Sequence, residues 1–179
     1  MTSSQPEPWL RGPVPGIPAL LQPVAHAFLL AAEDAEAAVS GVAADQLWLK
    51  PGGAASLGFH LLHLAGSTDR LLTYARGEAL SAAQRAALAA ERALAVPYPT
   101  LDELLTGWQA TVESALRQLA ATPESALIDA RLVGRAQLPS TVLGLLFHAA
   151  EHAQRHAGQL ITTSKIIAGL GLVRKPDPL

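Results

Sequence analysis

Three histidines stand four residues apart in the stretch FHAAEHAQRHAGQL, at positions 148, 152 and 156. Each residue of an α-helix turns the chain by about 100°, so steps of four displace side chains by only about 40°. The three imidazoles therefore form one narrow stripe on a predicted helix. A buried imidazole without a partner costs on the order of a few kcal/mol. A bound metal ion would remove this cost.

Two histidines at i and i+4 can present nitrogens to one ion, and zinc takes such ligands at about 2.0–2.1 Å. A further ligand must then come from another helix. The stretch SLGFHLLHLAGSTDRLLTY offers His63, and His60 points about 60° away from it. Either one can face the stripe across a bundle, and His63 has the more polar flanks. Asp69 is rotated by about 120° from His63 and is not counted as a ligand.

The spacing alone leaves two interpretations of the stripe open, a metal site and a polar seam of half-exposed histidines. Neither an acidic ligand nor a cysteine accompanies the histidines in the sequence pattern. His26 stands alone on the first helix and is expected to be a packed or partly exposed residue at the edge of the core.

The elements that must position these histidines are helices. Helix formers recur at three- and four-residue spacing in four long segments, and the capping-box pair Thr100 and Glu103 marks one start. The predicted long helices are 18–42, 54–76, 100–121 and 140–168, with a short connecting helix in 81–94. Residues 124–138 are expected to hold a short extended segment, and Pro139 and Ser140 to open the last helix.

The fold class predicted from this pattern is all-α, a four-helix bundle over residues 18–170. It follows an irregular arm, residues 1–17, which contains four prolines, and it precedes a tail, residues 171–179. A chain of 179 residues, half of them hydrophobic, is sufficient for one buried core.

Composition limits the classes of function. The net charge of -2 and the scattered arginines give no basic stripe for nucleic acid, and no apolar segment is long enough to cross a membrane. We therefore expect a cytoplasmic protein without nucleic-acid or membrane partners. The absence of cysteine excludes a cysteine nucleophile and thiolate ligands, so any metal must be bound by nitrogen or oxygen.

The combination of HLLHLAG with EHAQRHAGQL resembles the DinB-like superfamily of metal-binding four-helix bundles. The resemblance implies that His63, His152 and His156 bind one divalent ion, zinc or nickel, with Gly158 and Gln159 completing the pattern. It also implies open coordination positions filled by water, and often a homodimer. Some relatives are transferases or isomerases that use low-molecular-weight thiols.

Three neutral nitrogen ligands leave the ion its full charge, which lowers the pKa of a bound water or thiol. The function expected from this site is that of a thiol transferase or a hydrolase acting on a small molecule. Because the chain has no cysteine, the thiol must be external. A metal-binding or ligand-sensing protein without turnover is the alternative, and an interaction module without metal is a third.

Other side chains are candidates for contacts with the ligands or the substrate, although no residue is assigned a catalytic role. Glu151 and Glu33 are candidate general bases, without support from spacing. The candidates for ligand or substrate contact are His60, His148, Gln159, Arg70 and Tyr74. Arg70 and Tyr74 could hold an anionic group, or could be a surface arginine and a core-edge tyrosine. The high apolar content also favours a homodimer.

Overall fold

The structure, a computed structural model, describes residues 5–170 and is mainly helical, as predicted. The helices are α1 (Gln22–Val39), α2 (Leu57–Ala75), α3 (Ala82–Arg92), α4 (Leu101–Ala121) and α5 (Val142–Gly169). Helices α1 and α2 each pack against both α4 and α5. The four long helices therefore enclose one core, in which Phe28, Leu64, Trp108 and Leu146 are almost wholly buried.

Capping side chains fix where α2 and α4 begin. Thr100 accepts a hydrogen bond from the Glu103 amide, and the Glu103 side chain accepts from the Thr100 amide, which confirms the predicted capping box. Helix α2 starts three residues later than predicted, because the Ser56 hydroxyl accepts from the Phe59 amide at 3.2 Å. At its other end the helix stops at Ala75, one residue before the predicted end, and Gly77 follows with φ +80°.

Helix α1 is shorter than the predicted range 18–42. Residues Ala19–Leu21 form a 3₁₀ turn before it, and Pro23 lies in its first turn. Its other end comes at Val39, because Ser40 is extended and Gly41 has φ +76°. The left-handed conformation at the glycine ends the helical path of the backbone.

The segment before α5 is a β-hairpin, which corrects the predicted start of the last helix. Strand β1 (Ala130–Val133) pairs antiparallel with β2 (Leu138–Thr141), and Ala130 lies opposite Thr141. Pro139 and Ser140 therefore belong to a strand and do not open the helix. Helix α5 begins at Val142, because the Thr141 hydroxyl accepts a hydrogen bond from the Gly144 amide at 3.0 Å.

Within the described residues, the N-terminal arm lies along α1. Arg11 donates two hydrogen bonds to the Glu33 carboxylate, at 2.6 and 2.8 Å. Apart from a 3₁₀ turn at Pro8–Leu10, residues 5–17 contain no helix or strand. The predictions for residues 1–4 and for the tail, 171–179, lie outside the described range.

Within residues 5–170, none of the helices combines the length and apolar character required to cross a membrane. The cytoplasmic location stays a prediction.

Candidate metal centre

Helices α2 and α5 bring three histidines together. One ring nitrogen each of His63, His152 and His156 lies within 4.8 Å of the other two, so the group could hold a metal ion. The Nε2 atoms of His63 and His152 are 3.1 Å apart. Two nitrogens bound to one tetrahedral zinc are separated by about 3.4 Å, given bond lengths of about 2.0–2.1 Å. The observed separation is close to that value.

Small residues form part of the buried face of α5. Ala149, Ala153 and Ala157 repeat every four residues, and all three are fully buried. They form the apolar stripe of α5, and the candidate ligands lie beside it with half-buried rings. The i, i+4 spacing keeps the three alanines in the core. The same spacing places His152 and His156 on one side of α5, where they contact His63 and His60 of α2.

A buried carboxylate from α3 orients the third histidine. The Oε2 atom of Glu91 lies 3.0 Å from Nδ1 of His63. An ionised carboxylate can only accept, so the hydrogen belongs on Nδ1 and the Nε2 of a neutral His63 carries the lone pair. That lone pair faces Nε2 of His152. A carboxylate that holds a histidine in this tautomer is a common support for a metal ligand.

Arg70 completes the contacts of Glu91. Its guanidinium lies 2.5 Å from Oε1 and 3.2 Å from Oε2 of the carboxylate, and both side chains are buried. Burial alone would raise the pKa of Glu91, but the hydrogen bonds from His63 and Arg70 and their charges hold the pKa below its usual value. Glu91 is therefore ionised at neutral pH.

Glycine at position 66 makes room for this ion pair on α2. A Cβ atom there would lie 2.2 Å from Oε1 of Glu91 and 2.8 Å from Nη1 of Arg70. Real Cβ atoms essentially never come so close to another heavy atom. The carboxylate of Glu91 thus lies directly over the backbone of α2 at Gly66.

His60 supports a second candidate ligand. Its Nδ1 lies 2.9 Å from Nδ1 of His156, so one ring donates a hydrogen bond to the other. His60 is buried, with 5% of its surface exposed. Because this contact uses Nδ1 of His156, the Nε2 of that ring stays available to bind an ion. His60 therefore touches a candidate ligand.

The cluster favours neutral imidazoles. Burial lowers the pKa of His60, His152 and His156, and the neighbouring His63 lowers all three further. The pKa of His156 falls to about 3. Neutral rings keep the lone pairs that a cation requires. Within residues 5–170 the buried Nδ1 of His152 has no hydrogen-bond partner, so the protein alone leaves this ring incompletely satisfied. The neutral rings and the short distances between their nitrogens fit a cation held between the three histidines.

The remaining residues predicted for the site lie apart from the three rings or have other partners. His148 is half exposed, and its ring lies beside that of His152, with centroids 5.6 Å apart. Its Nδ1 lies 3.3 Å from Glu151, which also accepts from Arg155. Gln159 is exposed. Glu33 is paired with Arg11, as described above. Within residues 5–170, neither Glu33 nor Glu151 forms a hydrogen bond or ion pair with His63, His152 or His156.

Two further predictions concerned residues on the His63 face of α2. Arg70 is neither a surface arginine nor open to a substrate anion, because it is buried against Glu91. Tyr74 is half buried and lines a cavity of about 850 Å³ beside the β-hairpin. His26 lies at the edge of the core, as expected, and its Nε2 is 3.0 Å from the Gly12 carbonyl oxygen.

Sequence reasoning missed Glu91. Helix α3 was predicted only as a connection, yet Glu91 is its one buried residue. The available signal was compositional: Glu91 is the single acidic residue in the alanine-rich segment Ala82–Arg92. Its pairing with His63 depends on how α3 folds back over α2, which no local spacing encodes.

Comparison with known proteins agrees with the motif and the geometry. The model of the DinB superfamily matches residues 27–160, which include His63, His152 and His156. A search of curated protein sequences finds no match. Since the family model covers more than half of the chain, the protein belongs to the DinB superfamily.

Proposed function

We propose that this protein is a divalent-metal-dependent enzyme, with zinc or nickel bound by His63, His152 and His156. The observation that carries this proposal is the number of ligands. Among the described residues, the group that could hold an ion contains three side chains. Structural zinc sites usually have four protein ligands, whereas catalytic sites have three and keep a position open for water or substrate.

The neighbouring side chains support this assignment because they face the ligands and not the centre. Glu91 is hydrogen-bonded to Nδ1 of His63, and His60 to Nδ1 of His156. Each holds the orientation of one ring and leaves the other nitrogen of that ring free. The ion, when bound, supplies Lewis acidity. The fold we propose for the whole is the DinB type of four-helix bundle.

The reaction we favour is transfer of an external low-molecular-weight thiol to an electrophilic small molecule. A bond forms between the thiol sulfur and an electrophilic carbon, the leaving group departs with its electron pair, and the thiol proton goes to solvent. Hydrolysis is the second reaction of this class, with water in place of the thiol. The chain contains no cysteine, so the sulfur nucleophile must come from a second small molecule.

Elemental analysis together with two activity assays tests the proposal. Purified protein is expected to carry one zinc or nickel ion per chain. It is expected to accelerate thiol transfer to chlorodinitrobenzene, with glutathione or cysteine as thiol, or hydrolysis of p-nitrophenyl acetate. The His152→Ala variant should lose metal and activity together, and His26→Ala should keep both.

Two outcomes contradict the proposed function. Stoichiometric metal without turnover of either probe class would favour a non-catalytic metal-binding or ligand-sensing protein. Absence of tightly bound metal, even after dialysis against zinc and nickel, would leave the stripe as a polar seam. The His148→Ala variant tests whether this exposed histidine is needed for activity but not for metal binding. Retained metal with lost activity would place His148 at the substrate.

We also propose that the protein is a cytoplasmic homodimer. Large apolar side chains on α5 support the dimer, because Phe147 is 60% exposed and Leu143, one turn earlier, is 36% exposed. Contiguous exposed apolar surface often marks an interface with another protein. Sedimentation at micromolar concentration should show a dimer, and Phe147→Asp should shift it to monomer. A wild-type protein that sediments only as a monomer would contradict this.

A further inference from the structure

A cavity of about 580 Å³ lies beside the His63 side of the candidate centre. It is bounded by the chain between α1 and α2, the first turn of α2, and the end of α3 with the residues that follow. Pockets that bind small molecules typically have volumes of about 300–1,000 Å³. The charged and aromatic side chains that line the cavity are Trp48, Lys50, Phe59, Glu91, Arg92 and Tyr98.

Two of these side chains touch His63 directly. The Phe59 ring stacks on the imidazole, with centroids 5.6 Å apart and an interplanar angle of 7°. Glu91 Oε2 lies 3.0 Å from Nδ1 of the same imidazole. Both residues also line the cavity. A molecule in the cavity would therefore be separated from the histidine cluster by the thickness of one side chain.

The uncompensated charge of the cavity wall is positive. Lys50 and Arg92 line it and are exposed, and within residues 5–170 neither side chain has an ion-pair partner. The one carboxylate in the wall, Glu91, is already neutralised by the buried Arg70. Free cations beside a neutralised carboxylate attract an anion.

Aromatic rings provide the apolar part of the wall. Trp48 and Tyr98 lie with ring centroids 5.0 Å apart, and the Trp48 indole N–H donates to the Pro99 carbonyl at 3.3 Å. Trp48 packs tightly on α2, because a Cβ atom on Gly58 would lie 2.7 Å from its ring carbons. Contacts with Pro99 and with Gly58 of α2 therefore fix the position of the Trp48 ring in the cavity wall.

We propose that this cavity receives the substrate of the metal site, and that the substrate is a small organic anion, a carboxylate or sulfonate, with an aromatic or apolar body. Lys50 and Arg92 bind the anionic group. Trp48, Phe59 and Tyr98 contact the body, and Phe59 and Glu91 mark the part of the cavity nearest His63. The role of this anion as a substrate rests on the proposed function, whereas its binding in the cavity does not require turnover.

Binding of two related dyes tests the charge and the shape of the site. Anilinonaphthalene sulfonate is an organic anion with an aromatic body, and phenylnaphthylamine is its neutral counterpart. Fluorescence titration should give stoichiometric binding of the sulfonate to wild-type protein. In the double variant Lys50→Gln, Arg92→Gln its Kd should rise at least tenfold, which corresponds to about 1.4 kcal/mol. Binding of the neutral dye should change less than twofold.

The double variant Arg117→Gln, Lys165→Gln is the matched control, because it removes the same charges from exposed positions on α4 and α5. It should bind both dyes as wild type does. Thermal melting checks that each variant is folded, and the single variants at Lys50 and Arg92 replace any double variant that is not. Unchanged sulfonate binding in the cavity variants, or an equal loss of both dyes, would overturn the proposal.

Metal analysis on the same samples separates this inference from the proposed function. The cavity variants should keep one ion per chain, since neither residue contacts the three histidines. Charge-dependent dye binding in protein that holds no metal would support the anion site and contradict the proposal of a metal-dependent enzyme. Full metal content with charge-independent dye binding would sustain the metal site and contradict the cavity assignment.

Discussion

Substitution of Glu91 tests whether a carboxylate from α3 supports the metal ligand His63. Glu91→Gln keeps an oxygen that can accept from Nδ1 of His63, and it removes the negative charge. Removal of such a support typically weakens metal binding by 10- to 100-fold. We expect about tenfold for Glu91→Gln and about 100-fold for Glu91→Ala, or about 1.4 and 2.8 kcal/mol.

The same substitution has a separate effect on folding, because it leaves Arg70 charged and buried. Arg70 and Glu91 are 8% and 6% exposed, and their closest atoms are 2.5 Å apart. Removing one partner of a buried ion pair costs about 3–5 kcal/mol, so metal-free Glu91→Gln should unfold at lower urea concentration. The double variant Arg70→Leu, Glu91→Gln should recover much of that stability without recovering metal affinity.

The assay is zinc competition with a chelating indicator, performed on the folded metal-free proteins beside urea denaturation of each. Glu113→Gln is the control, because that carboxylate is 71% exposed and pairs with Arg117 only at 3.7 Å. If both Glu91 variants bind zinc within twofold of wild type, the carboxylate does not support the ligand. If the double variant regains wild-type affinity, the loss came from instability alone.

Alanine at His152 or His156 should abolish stoichiometric metal binding, and elemental analysis that still finds one ion per chain in either variant would exclude these ligands. His26→Ala should keep the ion, since that ring contacts the Gly12 carbonyl oxygen. Metal-free protein should lose thermal stability as the pH falls from about 6.5 toward 3. In this range His156 is protonated in the unfolded chain, where its pKa is about 6.5, but stays neutral in the folded chain, where its pKa is about 3. His156→Gln should reduce this slope in melts recorded between pH 7 and 4, and an unchanged slope would contradict the assignment. Gly66→Ala should displace Glu91 and weaken zinc binding by about tenfold in the same competition assay, without removing a ligand.

Local spacing predicted much of the helical framework and the stripe of histidines on the last helix. The helix period places His152 and His156 on one stripe, and the capping box at Thr100 marks a helix start, because both depend on residues within one turn. For the facing ligand, spacing left His60 and His63 open, on the assumption that α2 and α5 pack side by side, and the set of His63, His152 and His156 came from the resemblance to the DinB-like superfamily. The structure shows that packing, and the contacts of His63 with His152 and of His60 with His156 join the two helices.

Features that depend on distant contacts could not be predicted in this way. Pro139 and Ser140 carry helix-start character, but pairing of β2 with β1 holds them extended until Thr141. Glu91 and Arg70 are 21 residues apart, and each alone suggests a solvated charge. Their burial follows from the way α3 packs onto α2, which neither residue alone encodes.

Helix α3 is attached to the bundle mainly by polar contacts with α2. Glu91 is its buried residue, and near its start the Gln84 amide donates to Asp69 and Thr73, each at 2.7 Å. The histidines themselves belong to α2 and α5, so α3 influences the centre without supplying a ligand to it. For protein engineering, a library confined to Ala82–Arg92 would therefore change the affinity for metal and the shape of the neighbouring cavity without substituting a ligand or a residue of the apolar core, at a cost in stability wherever Glu91 is replaced.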